Sequence, residues 1–500
     1  MVEIPMQPNL LFLYSDEQRW DTLACTGNRR IAMPNLNRLA EQSTLVEQTY
    51  VTQPVCTPAR ASLLTGLWPH QCAMERTNVI LDEAYACLPE MLEPGCWRTA
   101  HHGKWHMGDE LFAQHGFEEW IASEDTYHDF CRPHRDPTTH SQYDAFLRAH
   151  GCRPRTTSIK GREPWVADRF VRKEIHAMPE ELSRPMFLAN SARRFIREQS
   201  DQPWALYVSI LEPHMPFHSC RDHQYDPDSV PLPPHNAMQA PARDHARRAQ
   251  LAAAGYRIQG YDGDGPYSDE ASWRRLIARY WGMCSLVDEA IGRILAQLEE
   301  SGQMDNTIIV FTSDHGDMMG SHGLLAKGYQ YEEAARVPLL VKLPGQQRSR
   351  RVTGPMSHID VVPTLLDAMG QQVPAYLPGQ SRLQLMRQGG HCSDDVVIEW
   401  NGAWRGNDKP LPAWAEEVPG TEEQIRASIK QDIRSLVTAD GWKYNHSSVG
   451  EHELFCLRED PGELCNRIAD PAQAERISEY RRRLSRWQQA TQDHHQPVLS

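Results

Sequence analysis

No stretch of this 500-residue chain is apolar for long enough to cross a membrane. Its longest uncharged hydrophobic runs, Leu10–Tyr14 and Ala205–Leu211, have the length of a buried strand, far below the roughly 20 residues of a spanning helix. There is no basic excess: 52 Lys and Arg stand against 66 Asp and Glu, a net charge of −14, which argues against non-specific nucleic-acid binding. The 12 cysteines form no C-x-x-C pair and no zinc spacing, so reduced, buried thiols are expected. Residues 1–18 lack a basic segment followed by an apolar one. The expected location is therefore cytoplasmic, or periplasmic if a signal has been removed. No internal repeat or low-complexity tract is present. What remains is a globular composition, 40% hydrophobic and 24% charged, with ample length for a large core.

The first part of the chain alternates strands and helices. Asn9–Tyr14, Trp204–Leu211, Thr307–Thr312 and Val337–Leu343 read as buried strands. Pro34 opens a helix with Leu36, Leu39 and Ala40 on one face. Leu286, Val287, Ala290, Ile291, Ile294, Leu295 and Leu298 form the strongest apolar stripe. This alternation predicts an α/β fold: a large, mostly parallel sheet between helices over 1–370. Over 371–500 the pattern shifts to short strands (Val396–Trp400, Ile433–Thr438, Trp442–Asn445, Glu453–Leu457) and a final helix carrying Ile477, Tyr480, Leu484 and Trp487. That predicts a smaller C-terminal subdomain, an antiparallel sheet with one helix. Phe130–Pro185 and Pro213–Pro266, rich in Pro, His, Arg and Asp, read as surface loops around a site mouth.

In open α/β sheets the site lies beyond the carboxyl ends of the strands. Asp16 and Glu17 follow the first strand, and Asp314 and His315 follow Thr307–Thr312. Three carboxylates and an imidazole there suit a hard divalent cation better than zinc, although helix caps or turn residues would fit the same spacing. Cys56-Thr57-Pro58-Ala59-Arg60 places a thiol at or just before a helix start. That position favours an activated nucleophile and a bound anion, with Arg60 as a fixed positive fork. A structural cysteine is the alternative.

Cys56–Arg60, continued by Ala61-Ser62-Leu63-Leu64-Thr65-Gly66, resembles the signature of the type I sulfatases. Further blocks follow in the family's order. NLLFLYSDEQRWD (Asn9–Asp21) is similar to the opening strand and first metal loop. Gly103-Lys104-Trp105-His106-Met107-Gly108 is similar to the GKWH block, and Glu212-Pro213-His214-Met215-Pro216-Phe217 to the P-H-x-P-F block. Thr312–Asp317 resembles the second metal loop and Lys327–Pro338 the distal lysine block, while Asp460–Glu463 resembles the turn closing the small sheet.

The resemblance implies an alkaline-phosphatase-like fold and a sulfuric-ester hydrolase whose cysteine, here Cys56, is oxidised to formylglycine by a maturation enzyme. It assigns a divalent cation, Ca²⁺ first with Mn²⁺ or Mg²⁺ as alternatives, to Asp16, Glu17, Asp314 and His315. It also implies that Arg60 balances the hydrated aldehyde, Lys104 and Lys327 contact sulfate oxygens, His106 removes a proton, and His214 serves the leaving group, with Lys327 as a possible partner. Glu17 stands where many relatives have Asp or Gln, His315 where many have Asn, and Ser321 where close bacterial relatives often have Asp. His322 is a weaker candidate for substrate contact, and His101, His102 and His218 are assigned no role. The expected substrate is a small-molecule or carbohydrate sulfate ester, and Trp165, Arg169, Tyr225, Arg257 and Tyr261 would suit one as well as ordinary loop packing. The alternatives are a phosphonate monoester or phosphodiester hydrolase, and a non-catalytic binding homologue. No nucleic-acid or membrane partner is expected, and a homo-oligomer is the default for a soluble enzyme.

Overall fold

The computed structural model describes residues 7–127, 130–136, 138–154, 165–166, 172–199, 202–234, 245–261, 264–402, 410–495 and 498. Thirteen strands form two sheets among the described residues. They are β1 (Asn9–Ser15), β2 (Thr44–Tyr50), β3 (Arg98–Gly103), β4 (Glu119–Ala122), β5 (Trp204–Ile210), β6 (Thr307–Ser313), β7 (Arg336–Lys342), β8 (Arg350–Ser357), β9 (Gly390–His391), β10 (Val396–Asn401), β11 (Asp432–Val437), β12 (Trp442–Ser447) and β13 (Glu453–Cys456). The large sheet has the order β4-β3-β5-β1-β6-β7-β2-β8-β9. Only β7 runs against its neighbours, β6 and β2. The small sheet, β10-β11-β12-β13, is antiparallel throughout. This is the predicted architecture.

The central strand explains why both faces are covered. Side chains alternate across a strand, and β1 is apolar at every position from Leu10 to Tyr14. Leu11 and Leu13 enter one core, with the helices Arg184–Glu198 and Glu270–Glu300. Leu10, Phe12 and Tyr14 enter the other, with Leu63 and Leu64 of the helix Cys56–Thr65 and with Val361 and Val362. No helix among the described residues is long and apolar enough to cross a membrane.

Two expectations need correction. The segments read as loops are partly helical in their described residues. Gln142–Ala149 is a helix capped by Ser141, whose hydroxyl accepts from the Asp144 N–H. Arg247–Gln259 is a helix that buries Ala249, Ala253 and Ala254. Alanines at a spacing of four let a neighbour approach closely but carry little hydrophobic signal, so the periodicity was weak. The C-terminal region also holds a second helix, Glu422–Lys430, started by a Thr421/Gln424 capping box. Gly390–His391 still pairs with the large sheet, and the small sheet begins at Val396. Against it the helix Ala474–Thr491 packs Tyr480 and Leu484, flanked by Ile477 and Trp487.

Candidate active site

Parallel strands bring their carboxyl ends to one edge, and three backbone hydrogen bonds tie those ends together. Asp16 N–H donates to Ile210 C=O (3.0 Å), Asp314 N–H to Ser15 C=O (3.1 Å), and Lys104 N–H to Ser209 C=O (3.1 Å). Gly103 makes the last contact possible: at φ 111°, a Cβ there would lie 1.9 Å from the Ser209 carbonyl oxygen. Asp16, Glu17, Lys104, Asp314 and His315 are thereby brought together, all fully buried.

The helix bearing the cysteine starts at Cys56 itself, after the extended residue Val55. Pro58 thus takes the third helical position, still among the residues whose N–H has no intrahelical acceptor. Cys56 Sγ lies 3.1 Å from His315 Nε2 and 3.8 Å from Asp16 Oδ1. One turn on, the Arg60 guanidinium donates to Asp16 Oδ2 and Asp314 Oδ2 (2.8 Å each), to the Lys104 carbonyl and to Ser209 Oγ (2.8 Å each). Lys104 Nζ meets Asp16 Oδ2 at 2.5 Å. Lys327 Nζ pairs with Glu17 Oε1 and donates to His214 Nε2 (2.9 Å). Glu17 sits at φ 66°, and its backbone is pinned on both sides: N–H to Asp314 Oδ1 (3.2 Å) and C=O from Tyr280 OH (2.7 Å).

Charge and burial set the protonation states. Burial alone would raise the Asp16 carboxyl, but the charges of Lys104 and Arg60 hold it well below the usual range. Burial, with Asp16 beside it, pushes the Cys56 thiol up to about 12, so the encoded thiol is not a ready thiolate. His106 and His214 are depressed, by burial first and then by the neighbouring lysines. Both are neutral near pH 7.

His106, also buried, stands apart from the carboxylates. It sits at φ 60°, with its N–H given to Glu110 Oε2 (2.6 Å) and its carbonyl receiving Thr57 Oγ1 (2.7 Å). Its Nε2 meets Asn78 Oδ1 at 2.9 Å and its ring stacks on Tyr127 at 3.7 Å, while Nδ1 has no hydrogen-bond partner. Lys104 Nζ lies 5.0 Å from the Tyr127 ring centre. Asn78, Tyr127 and Ser209 were missed by sequence reasoning. Asn78 and Tyr127 come from loops, and Ser209 is one polar residue in an apolar strand; only its place just before the strand end offered a signal.

The donor set suits a divalent cation. Ligand atoms of Asp16, Cys56, Asp314 and His315 lie within 4.8 Å of one another, and so do those of Asp16, Glu17 and His214. Asp16, Glu17 and Asp314 offer hard carboxylate oxygens, which Arg60, Lys104 and Lys327 match one for one in charge. The surplus histidines are structural. His101 packs on Trp120 and Trp105, His102 meets Glu119 (3.1 Å), and His218 meets Asp222 (2.7 Å). His322 stacks on Tyr331 at 4.3 Å, and Ser321 is fully buried. Arg169 lies outside the described residues. Tyr225 bonds the Ser285 hydroxyl, Arg257 pairs with Glu417, and Tyr261 bonds Met215.

This arrangement has relatives. The sulfatase family profile matches residues 8–371, and the chain belongs to the sulfatase family. It is 27% identical over 491 residues to the multifunctional alkaline phosphatase superfamily protein PehA of Trinickia caryophylli, covering 91% of this chain and 89% of that one. It is 28% identical over 478 residues to the choline-sulfatase of Rhizobium meliloti, covering 93% and 83%. The phosphonate monoester hydrolase SpPMH from Silicibacter pomeroyi shares its fold, with a TM-score of 0.76 over 98% of this chain and 96% of that one at 22% identity. The protein is a sulfatase-type enzyme of the alkaline phosphatase superfamily.

Proposed function

We propose that the protein hydrolyses a sulfate monoester with a hydrated formylglycine, made from Cys56 by a maturation enzyme, as nucleophile. The observation that carries this reading is the position of Cys56 Sγ, at a helix start, 3.1 Å from His315 Nε2, beside an Asp16 held by both Arg60 and Lys104. A sulfur nucleophile would leave a thiosulfate adduct with no easy exit, whereas geminal hydroxyls let residue 56 release sulfate by returning to the aldehyde.

Asp16, Glu17, Asp314 and His315 would hold the divalent cation, which supplies Lewis acidity toward a sulfate oxygen and the nucleophile. The protein's own groups do the rest. Arg60 locks both aspartates and the Lys104 carbonyl, so the cup is rigid before substrate arrives. Lys104 and Lys327 present ammonium donors to the sulfate oxygens, each a contribution of about 2.7–4 kcal/mol if it matches an oxyanion-hole donor. His106 is neutral, and its unpartnered Nδ1 can accept a proton from residue 56. His214 is also neutral, so the proton for the departing oxygen comes from the Lys327–His214 pair, whose hydrogen bond is already made.

A phosphonate monoester or phosphodiester is the second reading. It is favoured by the Asp314-His315 metal pair and by the fold shared with the phosphonate monoester hydrolase. Turnover of an aryl sulfate and of a phenyl phosphonate by metal-loaded protein, with residue 56 verified by mass, separates the two. Preference for the sulfate is expected, and preference for the phosphonate would reverse the assignment. A protein whose Cys56 stays unmodified and which turns over neither ester would be a binding homologue.

A further inference from the structure

Beside the catalytic cluster lies a cavity of about 310 Å³, near the lower end of small-molecule sites. It shares two walls with that cluster, Tyr127 and His214. Since His214 belongs to the pair that protonates the departing oxygen, the alcohol leaves toward this space.

The lining decides what fits. Tyr143, Trp165, Met178, Leu211 and Leu286 supply apolar and aromatic wall. Most of the polar lining is already engaged within the protein. Arg184 bridges Glu124 (2.7 Å) and Glu212 (3.3 Å), and His218 is held by Asp222 (2.7 Å). The lining atoms without a hydrogen-bond partner among the described residues, Glu212 Oε2, Ser183 Oγ and the Arg184-paired Glu124 Oε1, are themselves shut off from the cavity, so they offer a ligand no free polar group. A sugar ring presents hydroxyls around its whole edge and would leave most of them unmatched here, a penalty for each buried polar group. A flat apolar ring satisfies these walls.

We infer that this cavity is the subsite for the alcohol portion of the ester, and that it takes a one-ring aryl alcohol. The inference rests on the sulfuric-ester reading and narrows its substrate class from carbohydrate or small molecule to small aryl.

The test uses full-length, metal-loaded protein with residue 56 verified by mass, and two esters: phenyl sulfate, and trifluoroethyl sulfate, which is too small to need the cavity. Ile175 and Met178 both line the space and lie outside the catalytic machinery. In Ile175→Trp, and independently in Met178→Trp, kcat/KM for the aryl ester should fall by at least about tenfold, the scale of pocket misfit. With trifluoroethyl sulfate it should change less than about threefold, which also shows that the variant is folded. Equal losses on both esters in both variants, or no loss on either, would overturn the subsite. So would a wild-type preference for a glucosamine 6-sulfate over the aryl ester, which would leave sulfate-ester hydrolysis standing. Wild-type protein inert to every sulfate ester would instead remove the sulfuric-ester reading, and this inference with it.

Discussion

Two buried charge clusters in this protein have similar ingredients and different arrangements. In the catalytic cup, Asp16, Glu17 and Asp314 face Arg60, Lys104 and Lys327. Where the small sheet meets the large one, Lys443 Nζ donates to Glu332 and Glu463 at 2.9 Å each. Tyr50 OH donates to Glu332 (3.0 Å), and the Glu332 N–H closes on Glu463 (2.7 Å). This second cluster is a closed network: its acids are answered by protein donors from β2, β12 and the short helix Glu332–Ala335 before β7. The catalytic cup is just as fully paired, but it gathers its groups at one place. Its donors converge on one small volume, and His106 Nδ1 is left without a partner. Paired charge spread between elements pins them together, while paired charge gathered on one small volume can exchange its internal partners for a ligand.

The comparison predicts that damage to one cluster costs activity and damage to the other costs stability. The largest effect is expected for Cys56→Ala: turnover should fall by at least about 10³-fold, as for loss of a nucleophile, with an unchanged denaturation midpoint. Lys443→Met leaves two carboxylates buried without their cation. It should destabilise by about 3–5 kcal/mol in denaturant titration, with turnover per folded molecule preserved. A large loss of kcat in that variant at full folding would erase the distinction. Lys104→Met should lower kcat/KM by about 10²–10³-fold with a much smaller change in stability. Asn78→Ala frees the Nε2 side of His106 and should cost about tenfold in kcat with little change in KM, a positioning loss.

The smallest effect concerns a third cluster, at the C-terminal end of the chain. His495 Nε2 meets Glu75 (2.5 Å) and Nδ1 meets Asp432 (3.4 Å). Burial alone would lower its pKa, but these two carboxylates raise it from 6.5 to about 9. A raised histidine adds stability that is complete below its ordinary value and lost as pH climbs through the raised one. His495→Ala should therefore lower Tm by roughly 1–2 °C at about pH 6 and leave it unchanged above about pH 10. An effect that grew with pH would contradict this assignment of charge.

The sequence made the sheet and the acidic residues at its strand ends legible for one reason. β1, β5 and β6 are buried at every position with apolar middles, and the first charged residues after β1 and β6 mark the strand ends where a site must lie. The order of the blocks around Cys56, Lys104, His214 and Lys327 supplied the rest. What stayed hidden depends on contacts between distant loops. Asn78 and Tyr127 converge on His106 from separate segments, and Lys443 meets Glu332 across 111 residues of chain. The alanine-faced helix Arg247–Gln259 was obscured because small residues pack closely without a strong apolar stripe.

The most direct test of the account is the mass of the peptide spanning residues 50–70, taken from a preparation with measured sulfate-ester turnover. The account predicts a peptide in which the Cys56 thiol has been replaced by an aldehyde, in proportion to the activity. Full activity with the thiol intact would contradict it.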